Sequence, residues 1–113
     1  MTERFRPYCA VYLILENSEN QLLMMRRFQT GFRDGEYNLP SGHVEEGETP
    51  TKAIIREAKE EINAELNTND VSLVHTSFRN NQQGRTYISF YFKAITNQLN
   101  IKNNEPDKCD DLQ

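Results

Sequence analysis

The sequence predicts an α+β domain with a mixed β-sheet. Strand-like runs rich in aromatic and β-branched residues lie on both sides of one helical stretch. The helix stands in the middle of the order β-β-(β)-α-β-β instead of alternating regularly with strands, which favours a sandwich over a doubly wound fold. The 113 residues contain no visible repeat or interdomain linker and suffice for one modest core. We therefore expect a single domain over residues 1–113.

The N-terminal part predicts a β-hairpin. Tyr8–Glu16 and residues 21–28 are strand-like runs, and the polar residues 17–20 between them favour a turn. Residues 37–39 follow as a short strand that ends at Pro40.

A helix over Pro50–Ile62 is the best-supported element. Thr49 suits the N-cap position, and proline is well tolerated as the first helical residue. Ile54, Ala58 and Ile62 recur every four residues, so they form an apolar stripe that we expect to face the core.

Two further strands are expected after the helix. Residues 71–78 and Thr86–Ile95 are strand-like, and the polar residues 79–85 join them. From Thr96 onward the chain is rich in asparagine and charged residues.

The charge balance favours a small soluble ligand. Thirteen basic and 17 acidic side chains give a net charge of -4. Nucleic acid polymers and anionic membranes attract basic surfaces, so we expect neither as a partner. The longest apolar run, residues 10–15, is too short to span a bilayer, and the N-terminus lacks the features of a signal peptide.

The two cysteines, Cys9 and Cys109, lie far apart in the sequence and form no CxxC or Cys/His cluster. Neither a zinc site nor a disulfide framework is indicated. We expect two free thiols in a reducing compartment and a cytoplasmic protein.

The helix carries three carboxylates on one side. Glu57, Glu60 and Glu61 are three and four residues apart, and like charges at such spacings repel unless a positive group lies among them. Mg²⁺ prefers oxygen ligands and often joins one or two carboxylates to substrate phosphates, so a divalent cation is an obvious candidate. The alternative is a solvated helix face whose ion pairs come from the basic residues Lys52, Arg56 and Lys59.

The loop before the helix favours the cation over the solvated face. Gly42 and Gly47 allow the backbone to turn tightly and to bring carbonyl oxygens towards the helix.

The spacing of these residues resembles the Nudix hydrolase signature. Gly42 is followed by five residues, Glu48, seven residues and then Arg-Glu-Ala-Lys-Glu-Glu at positions 56–61. The strands before and after the motif also match the family's order, so the resemblance covers nearly the whole chain. It implies a Nudix-like α/β/α sandwich with a mixed β-sheet, forming a single hydrolase domain over residues 1–113. Because similar proteins continue into a further strand and a final helix, we expect C-terminal elements to be missing.

Two positions depart from the family pattern. Asn63 stands where the signature has glycine, but asparagine is the next best residue for a left-handed helix end. Ser41 replaces a glycine that is common just before the motif, and a contribution from its main-chain carbonyl does not require glycine. Neither departure removes a carboxylate.

The resemblance implies a metal site and a reaction. Mg²⁺ or Mn²⁺ would be bound, directly or through water, by Glu57, Glu60 and Glu61, with the Ser41 carbonyl as a further ligand. Metal-activated water would then attack a diphosphate linkage and release a nucleoside monophosphate and a second phosphorylated product.

The resemblance also implies roles within this site. Glu48 and Arg56 would form an ion pair that orients the catalytic groups. The general base varies within the family; Glu57 is our first expectation and Glu61 our second.

Outside the motif we name further candidates. Arg26 or Arg27, at the end of the second predicted strand, would hold phosphate, with a surface arginine as an equally weighted alternative. Glu105 lies in a loop that supplies another metal carboxylate in some related proteins. We expect His43 and His75 to be structural or exposed.

The substrate is not defined by the markers that distinguish related enzymes. ADP-ribose hydrolases of the family often have a proline shortly after the signature, where this chain has Arg79 and Asn80. Enzymes for dinucleoside polyphosphates often have a tyrosine slightly later, where it has Asn81 and Gln82. The compact chain favours a nucleoside triphosphate pyrophosphohydrolase, including those that remove damaged nucleotides.

The sequence leaves open two alternatives to an enzyme and the possibility of a homodimer. The chain could be a catalytically silent Nudix-fold nucleotide-binding module, or a small α+β domain whose acidic helix is only a solvated surface. A homodimer would cover any surface left exposed by missing C-terminal elements.

Overall fold

The computed structural model describes residues 4–19, 21–27, 37–81, 84–96 and 109–112. The described segments contain β-strands, one α-helix and one short 3₁₀-helix. In chain order these elements are β1 (Tyr8–Glu16), β2 (Met25–Arg27), β3 (Tyr37–Asn38), β4 (Ser41–His43), α1 (Pro50–Ile62), the 3₁₀-helix Thr68–Asp70, β5 (Ser72–Asn80), β6 (Thr86–Ile95) and β7 (Cys109–Leu112). No helix in these segments is long and apolar enough to cross a membrane.

The main sheet has four strands in the order β4-β1-β6-β5. β1 and β6 run parallel, with Tyr8 opposite Tyr87 and Glu16 opposite Ile95, whereas β4 and β5 are antiparallel to their neighbours. A second, antiparallel sheet has the order β3-β2-β7. The predicted α+β class and mixed sheet are therefore confirmed, and within the described segments α1 supplies the helical layer.

α1 packs on one face of the main sheet. The predicted stripe of Ile54, Ala58 and Ile62 is fully buried, and it meets the inward-facing β1 residues Val11 and Leu13. Burying a large aliphatic side chain stabilises a fold by about 1.5–3 kcal/mol, so this contact fixes α1 against β1.

Both ends of α1 follow the sequence prediction. The Thr49 hydroxyl accepts a hydrogen bond from the N–H of Lys52 at 3.2 Å, as an N-cap residue does. At the other end Asn63 has φ 58° and ψ 27°, the left-handed conformation predicted for it. The N–H of Ala64 bonds the carbonyl of Ala58 at 3.2 Å, which closes the helix as in a Schellman motif.

The predicted N-terminal hairpin is largely wrong. Among the described residues after the turn, backbone pairing with β1 consists of a bridge between Glu16 and Leu22 and a 2.9 Å hydrogen bond from the N–H of Leu23 to the carbonyl of Leu15. β2 then pairs with β3 and β7 in the other sheet. The reason is that β6 pairs along all of β1 on one side, while β4 pairs with Ala10–Tyr12 on the other side and leaves the C-terminal end of β1 to the returning chain.

The sequence also missed β4 and β7 and misplaced several strand boundaries. Ser41–His43 has no β-branched or aromatic residue to indicate a strand, yet it pairs with Ala10, Val11 and Tyr12 of β1. β5 continues to Asn80, two positions beyond the predicted end at residue 78.

Candidate active site

Gly42 brings the backbone of β4 against the helix. A Cβ atom at this position would overlap the carboxyl group of Glu57. Gly42 is not among the described residues with a left-handed φ, whereas Gly47 has φ 84°. The expectation of a tight turn is thus met at Gly47, while at Gly42 glycine provides space for a carboxylate.

Glu61 contacts the same strand one helical turn further on. Its Oε1 accepts a hydrogen bond from the N–H of Ser41 at 3.1 Å. Glu57 and Glu61 are four residues apart on α1, so they share one side of the helix and reach adjacent residues of β4. Pairing of β4 with the buried strand β1 holds this backbone in place.

Arg56 is the centre of an ion-pair network. Its Nε and Nη2 donate to the two carboxylate oxygens of Glu48 at 2.8 and 3.1 Å, which is a bidentate pair. Nη2 also donates to the carbonyl of His43 at 3.0 Å. Nη1 lies 2.9 Å from Glu57 Oε1 and 3.2 Å from Glu60 Oε2. The guanidinium therefore links the loop before α1 to the acidic side of the helix.

The Glu48–Arg56 pair is held in its charged form. Hydrogen bonds from the Arg56 side chain and then from the N–H of Glu45 lower the pKa of Glu48 below its ordinary value. The hydrogen bond to Glu48 raises the pKa of Arg56 further, although partial burial opposes this. A permanently ionised pair is suited to orienting neighbouring groups and not to exchanging protons.

The helix carboxylates differ in exposure. The side chain of Glu57 is 15% exposed, whereas that of Glu60 is 52% exposed. Glu57 is thus tucked between α1 and β4, and Glu60 lies on the rim of the site.

The oxygen atoms at this site are the kind of ligand that a hard divalent cation prefers. Carboxylate oxygens of Glu57 and Glu61 meet the β4 backbone, and the space beside Gly42 accommodates one of them. Within the described segments no three His, Cys, Asp or Glu side chains are grouped closely enough to hold a metal by themselves. Mg²⁺ nevertheless needs only one or two carboxylates, because waters and substrate phosphates complete its shell. The pair on α1 fits that requirement.

For the remaining candidates only part of the position is described. The backbones of Arg26 and Arg27 lie in β2 of the second sheet, and their side chains are outside the described part of the structure. Glu105 also falls outside the described residues. His43 and His75 are both exposed, as expected.

Sequence reasoning missed the backbone groups of the site. The N–H of Ser41, the carbonyl of His43 and the N–H of Glu45 each hold a charged side chain. Main-chain groups carry no residue-type signal. Only Gly42 and Gly47, which allow the loop to turn tightly, indicated that this backbone approaches the helix.

Comparison with known proteins decides the family. The family model described as NUDIX domain matches residues 7–113. The chain belongs to the Nudix family. The resemblance seen in the signature is therefore confirmed, and members of this family generally use a divalent metal ion.

One curated relative and two solved structures illustrate the similarity. The 8-oxo-dGTP diphosphatase of Escherichia coli (strain K12) is 35% identical over 49 residues, which is 43% of this chain and 38% of that protein. A MutT/nudix family protein from Enterococcus faecalis has a TM-score of 0.84 at 19% identity, over 100% of this chain and 45% of that one. The NUDIX domain of Shewanella oneidensis NrtR, complexed with ADP ribose, has a TM-score of 0.78 at 15% identity. The match covers 97% of this chain and 73% of that one.

These comparisons differ in what they establish. At such low identities the solved structures show the fold alone, and they confirm the Nudix-like sandwich. The match spans well under half the length of the curated relative. The Nudix family and this relative support the expected enzyme class, a Nudix-type pyrophosphohydrolase.

Proposed function

We propose that this Nudix domain hydrolyses a diphosphate linkage in a nucleoside triphosphate or another nucleoside diphosphate derivative, in a reaction that requires Mg²⁺ or Mn²⁺. The observation that carries the proposal is the convergence of two α1 carboxylates on one strand. Glu57 packs against Gly42, and Glu61 accepts the N–H of Ser41. Two carboxylates of the 13-residue helix α1 therefore lie beside the backbone of β4.

The ligands proposed for the cation are Glu57 and Glu61, with Glu60 and the Ser41 carbonyl completing the protein's share. When bound, the cation supplies an activated water and neutralises phosphate charge. Glu57 is our first candidate to accept the proton of that water, because its side chain is only 15% exposed and its carboxyl group packs against β4 beside Gly42. Glu61 is the second candidate.

Glu48 and Arg56 have positioning roles in this proposal. Their bidentate pair fixes the guanidinium, whose Nη1 holds Glu57 at 2.9 Å. We further propose that Arg26 or Arg27 binds substrate phosphate and that Glu105 supplies an additional carboxylate.

A nucleoside triphosphate is the substrate class that we favour. The curated relative acts as an 8-oxo-dGTP diphosphatase, and its similarity to this chain supports a purine nucleoside triphosphate as the first compound to test. We propose cytoplasmic residence, for which the free thiol of Cys9 is supporting evidence.

The second candidate is a nucleotide-binding module without catalysis. It is favoured by the Arg56 guanidinium, which already forms ion pairs with Glu57 and Glu60.

The deciding experiment combines turnover with metal binding. Purified protein is incubated with nucleoside triphosphates and diphosphate-linked nucleotides, with and without Mg²⁺ or Mn²⁺, and the products are separated by ion exchange. Metal-dependent release of a monophosphate is expected. Binding of Mn²⁺ is measured in parallel by calorimetry on Glu57→Gln and Glu61→Gln.

A matched control is Glu65→Gln, which removes an exposed carboxylate that pairs with Lys59 instead of the site. We expect it to retain turnover and Mn²⁺ binding, whereas each site variant loses both. Metal and nucleotide binding without turnover would support the silent module. Unchanged Mn²⁺ binding in both site variants would overturn both candidates.

A further inference from the structure

β5 is an edge strand whose side chains are exposed. It is the last strand in the order β4-β1-β6-β5 and pairs with β6 on its inner side. No strand within the described segments pairs with its outer side. Eight of its nine residues are exposed. A strand in this position presents a row of backbone N–H and C=O groups that can pair with another strand.

Large apolar side chains are concentrated on this strand. Leu73, Val74 and Phe78 are 54%, 51% and 65% exposed, and they make up three of the seven exposed large hydrophobic residues in the described part of the chain. Edge strands that stay unpaired often carry lysine, proline or several charges. Ser72–Asn80 contains no lysine, proline or acidic residue. Apart from a register shift near Val74, β5 therefore lacks the features that keep an edge from associating.

The sequence of β5 is self-complementary about Thr76. When two copies of a strand pair antiparallel around a two-fold axis, residues equally far from the axis lie opposite each other. With the axis at Thr76, Val74 of each copy lies opposite Phe78 of the other, and the two threonines face each other. Pairs of aromatic with β-branched residues, and pairs of threonines, are favourable across strands. Because side chains alternate along a strand, positions 74, 76 and 78 form one row on one face.

Charges do not oppose this register. Arg79 of one copy lies opposite Leu73 of the other, so the two arginines are six positions apart along the paired strands. At about 3.3 Å per residue this is about 20 Å, well beyond the screening length of about 8 Å at physiological ionic strength. Moving the axis by one residue in either direction would place Val74 and Phe78 opposite polar residues. The register centred on Thr76 therefore best matches the exposed apolar side chains to each other.

We propose that β5 pairs antiparallel with β5 of a second copy of this chain, with Thr76 at the two-fold axis. The two four-stranded sheets then join into one continuous sheet, and the α1 helices of both copies lie on the same side of it. β4, which borders the proposed metal site, is at the other edge of the main sheet from β5. The dimer therefore keeps its two sites at the outer ends of the joined sheet, and it does not depend on the proposed hydrolysis.

Sedimentation equilibrium of the full chain over a range of protein concentrations tests this pairing. The mass should approach twice the 13.2 kDa of one chain as the concentration rises. Thr76→Lys and Thr76→Glu each place like charges directly opposite each other, so each variant alone should associate about tenfold more weakly or worse. An equal mixture of the two variants should recover the dimer, because lysine then lies opposite glutamate.

Thr68→Lys is the matched control, because it makes the same change at an exposed threonine outside β5. It should associate as the unmodified protein does. Circular dichroism melting checks that each variant folds, and Phe78→Thr provides a second test because it removes the apolar partner of Val74 from an exposed position.

Four results would each overturn the proposal. These are a monomer at every concentration, undiminished association of Thr76→Lys, a mixture of the two charged variants that does not recover the dimer, and equal weakening in Thr68→Lys. Phe78→Thr should also weaken association, and unchanged association in that variant would contradict the register. None of these outcomes bears on hydrolysis, which is measured separately.

Discussion

Gly42 illustrates at the residue scale how a position can be fixed by space alone. Its backbone conformation is open to other residues, but a Cβ atom there would overlap the carboxyl group of Glu57. Gly47 shows the opposite case, because its φ of 84° favours glycine although nothing lies within 4 Å of an added Cβ. Glycine therefore stands at these two positions of one loop for different physical reasons: space for a side chain at Gly42 and a left-handed backbone at Gly47.

Alanine substitutions at Gly42 and Gly47 should have different effects on metal binding and on stability. Gly42→Ala should displace the carboxyl group of Glu57 and weaken Mn²⁺ binding at least tenfold, with little loss of stability, because the overlapped atoms lie at the end of a flexible side chain. Gly47→Ala should cost about 1 kcal/mol of stability for its left-handed backbone and leave Mn²⁺ binding unchanged. Calorimetric titration and urea unfolding measure the two effects. Equal Mn²⁺ affinity in both variants would show that Gly42 does not position Glu57.

The lowered pKa of Glu48 predicts that the stability of the fold depends on pH. Hydrogen bonds from Arg56 and the N–H of Glu45 lower its pKa from the ordinary value of 4.5. Because the folded state binds this proton more weakly than the unfolded state, the stabilisation is fully present above pH 4.5 and is lost as pH falls through the lowered pKa. Arg56 remains protonated throughout, since its pKa is raised.

Glu48→Gln should remove this dependence. The difference in unfolding free energy between the unmodified protein and the variant should be largest near neutral pH and should shrink on acidification below pH 4.5. Urea unfolding at pH 7 and at several lower pH values measures it. A difference that stays constant across that range would mean that the pair does not couple to folding.

Among the secondary-structure elements, α1 has its limits defined by the residues at its two ends and its packing defined by one apolar stripe. Thr49 caps the first turn, and Asn63 ends the helix in a left-handed conformation. These are local interactions between residues a few positions apart, so the sequence predicted both ends of Pro50–Ile62. β6 was also predicted over its full length, because strand-forming residues continue through Thr86–Ile95.

Asn63 offers a test of the helix end. Glycine adopts the left-handed region without a Cβ penalty, so Asn63→Gly should change the free energy of unfolding by less than about 0.5 kcal/mol. Asn63→Ala should lower the free energy of unfolding by about 1–2 kcal/mol, because the Cβ atom of alanine makes the left-handed conformation unfavourable. Thermal or urea unfolding of the two variants measures the difference, and equal stabilities would argue against a backbone role for Asn63.

Short strands were the elements that local patterns failed to predict. β4 has three residues of weak strand propensity and exists because β1 offers an edge to pair with. The predicted hairpin was largely wrong for the same reason, since β1 pairs mainly with β4 and β6 and contacts the segment that follows it at its C-terminal end. Pairing choice depends on which partners reach an edge, and that is not a local property.

At the scale of the whole molecule, one core joins α1 to the main sheet. Leu13 is fully buried at the centre of this contact, while Leu73 on the edge strand β5 is 54% exposed. Because a buried leucine leaves a cavity when truncated, Leu13→Ala should lower the free energy of unfolding by about 2–5 kcal/mol. Leu73→Ala should change it by less than about 1 kcal/mol. Urea unfolding of both variants checks the contrast, and similar losses would contradict this location of the core.

The family signature, the helix and the identity of the carboxylates could be read from the amino-acid sequence alone. These depend on residue types at fixed spacings along a helix, whose geometry is local and regular. Only the tertiary structure decided that Glu57 rests on Gly42 and that Glu61 meets the N–H of Ser41. Those contacts arise from parallel and antiparallel pairing between segments distant in the chain, which no local pattern specifies.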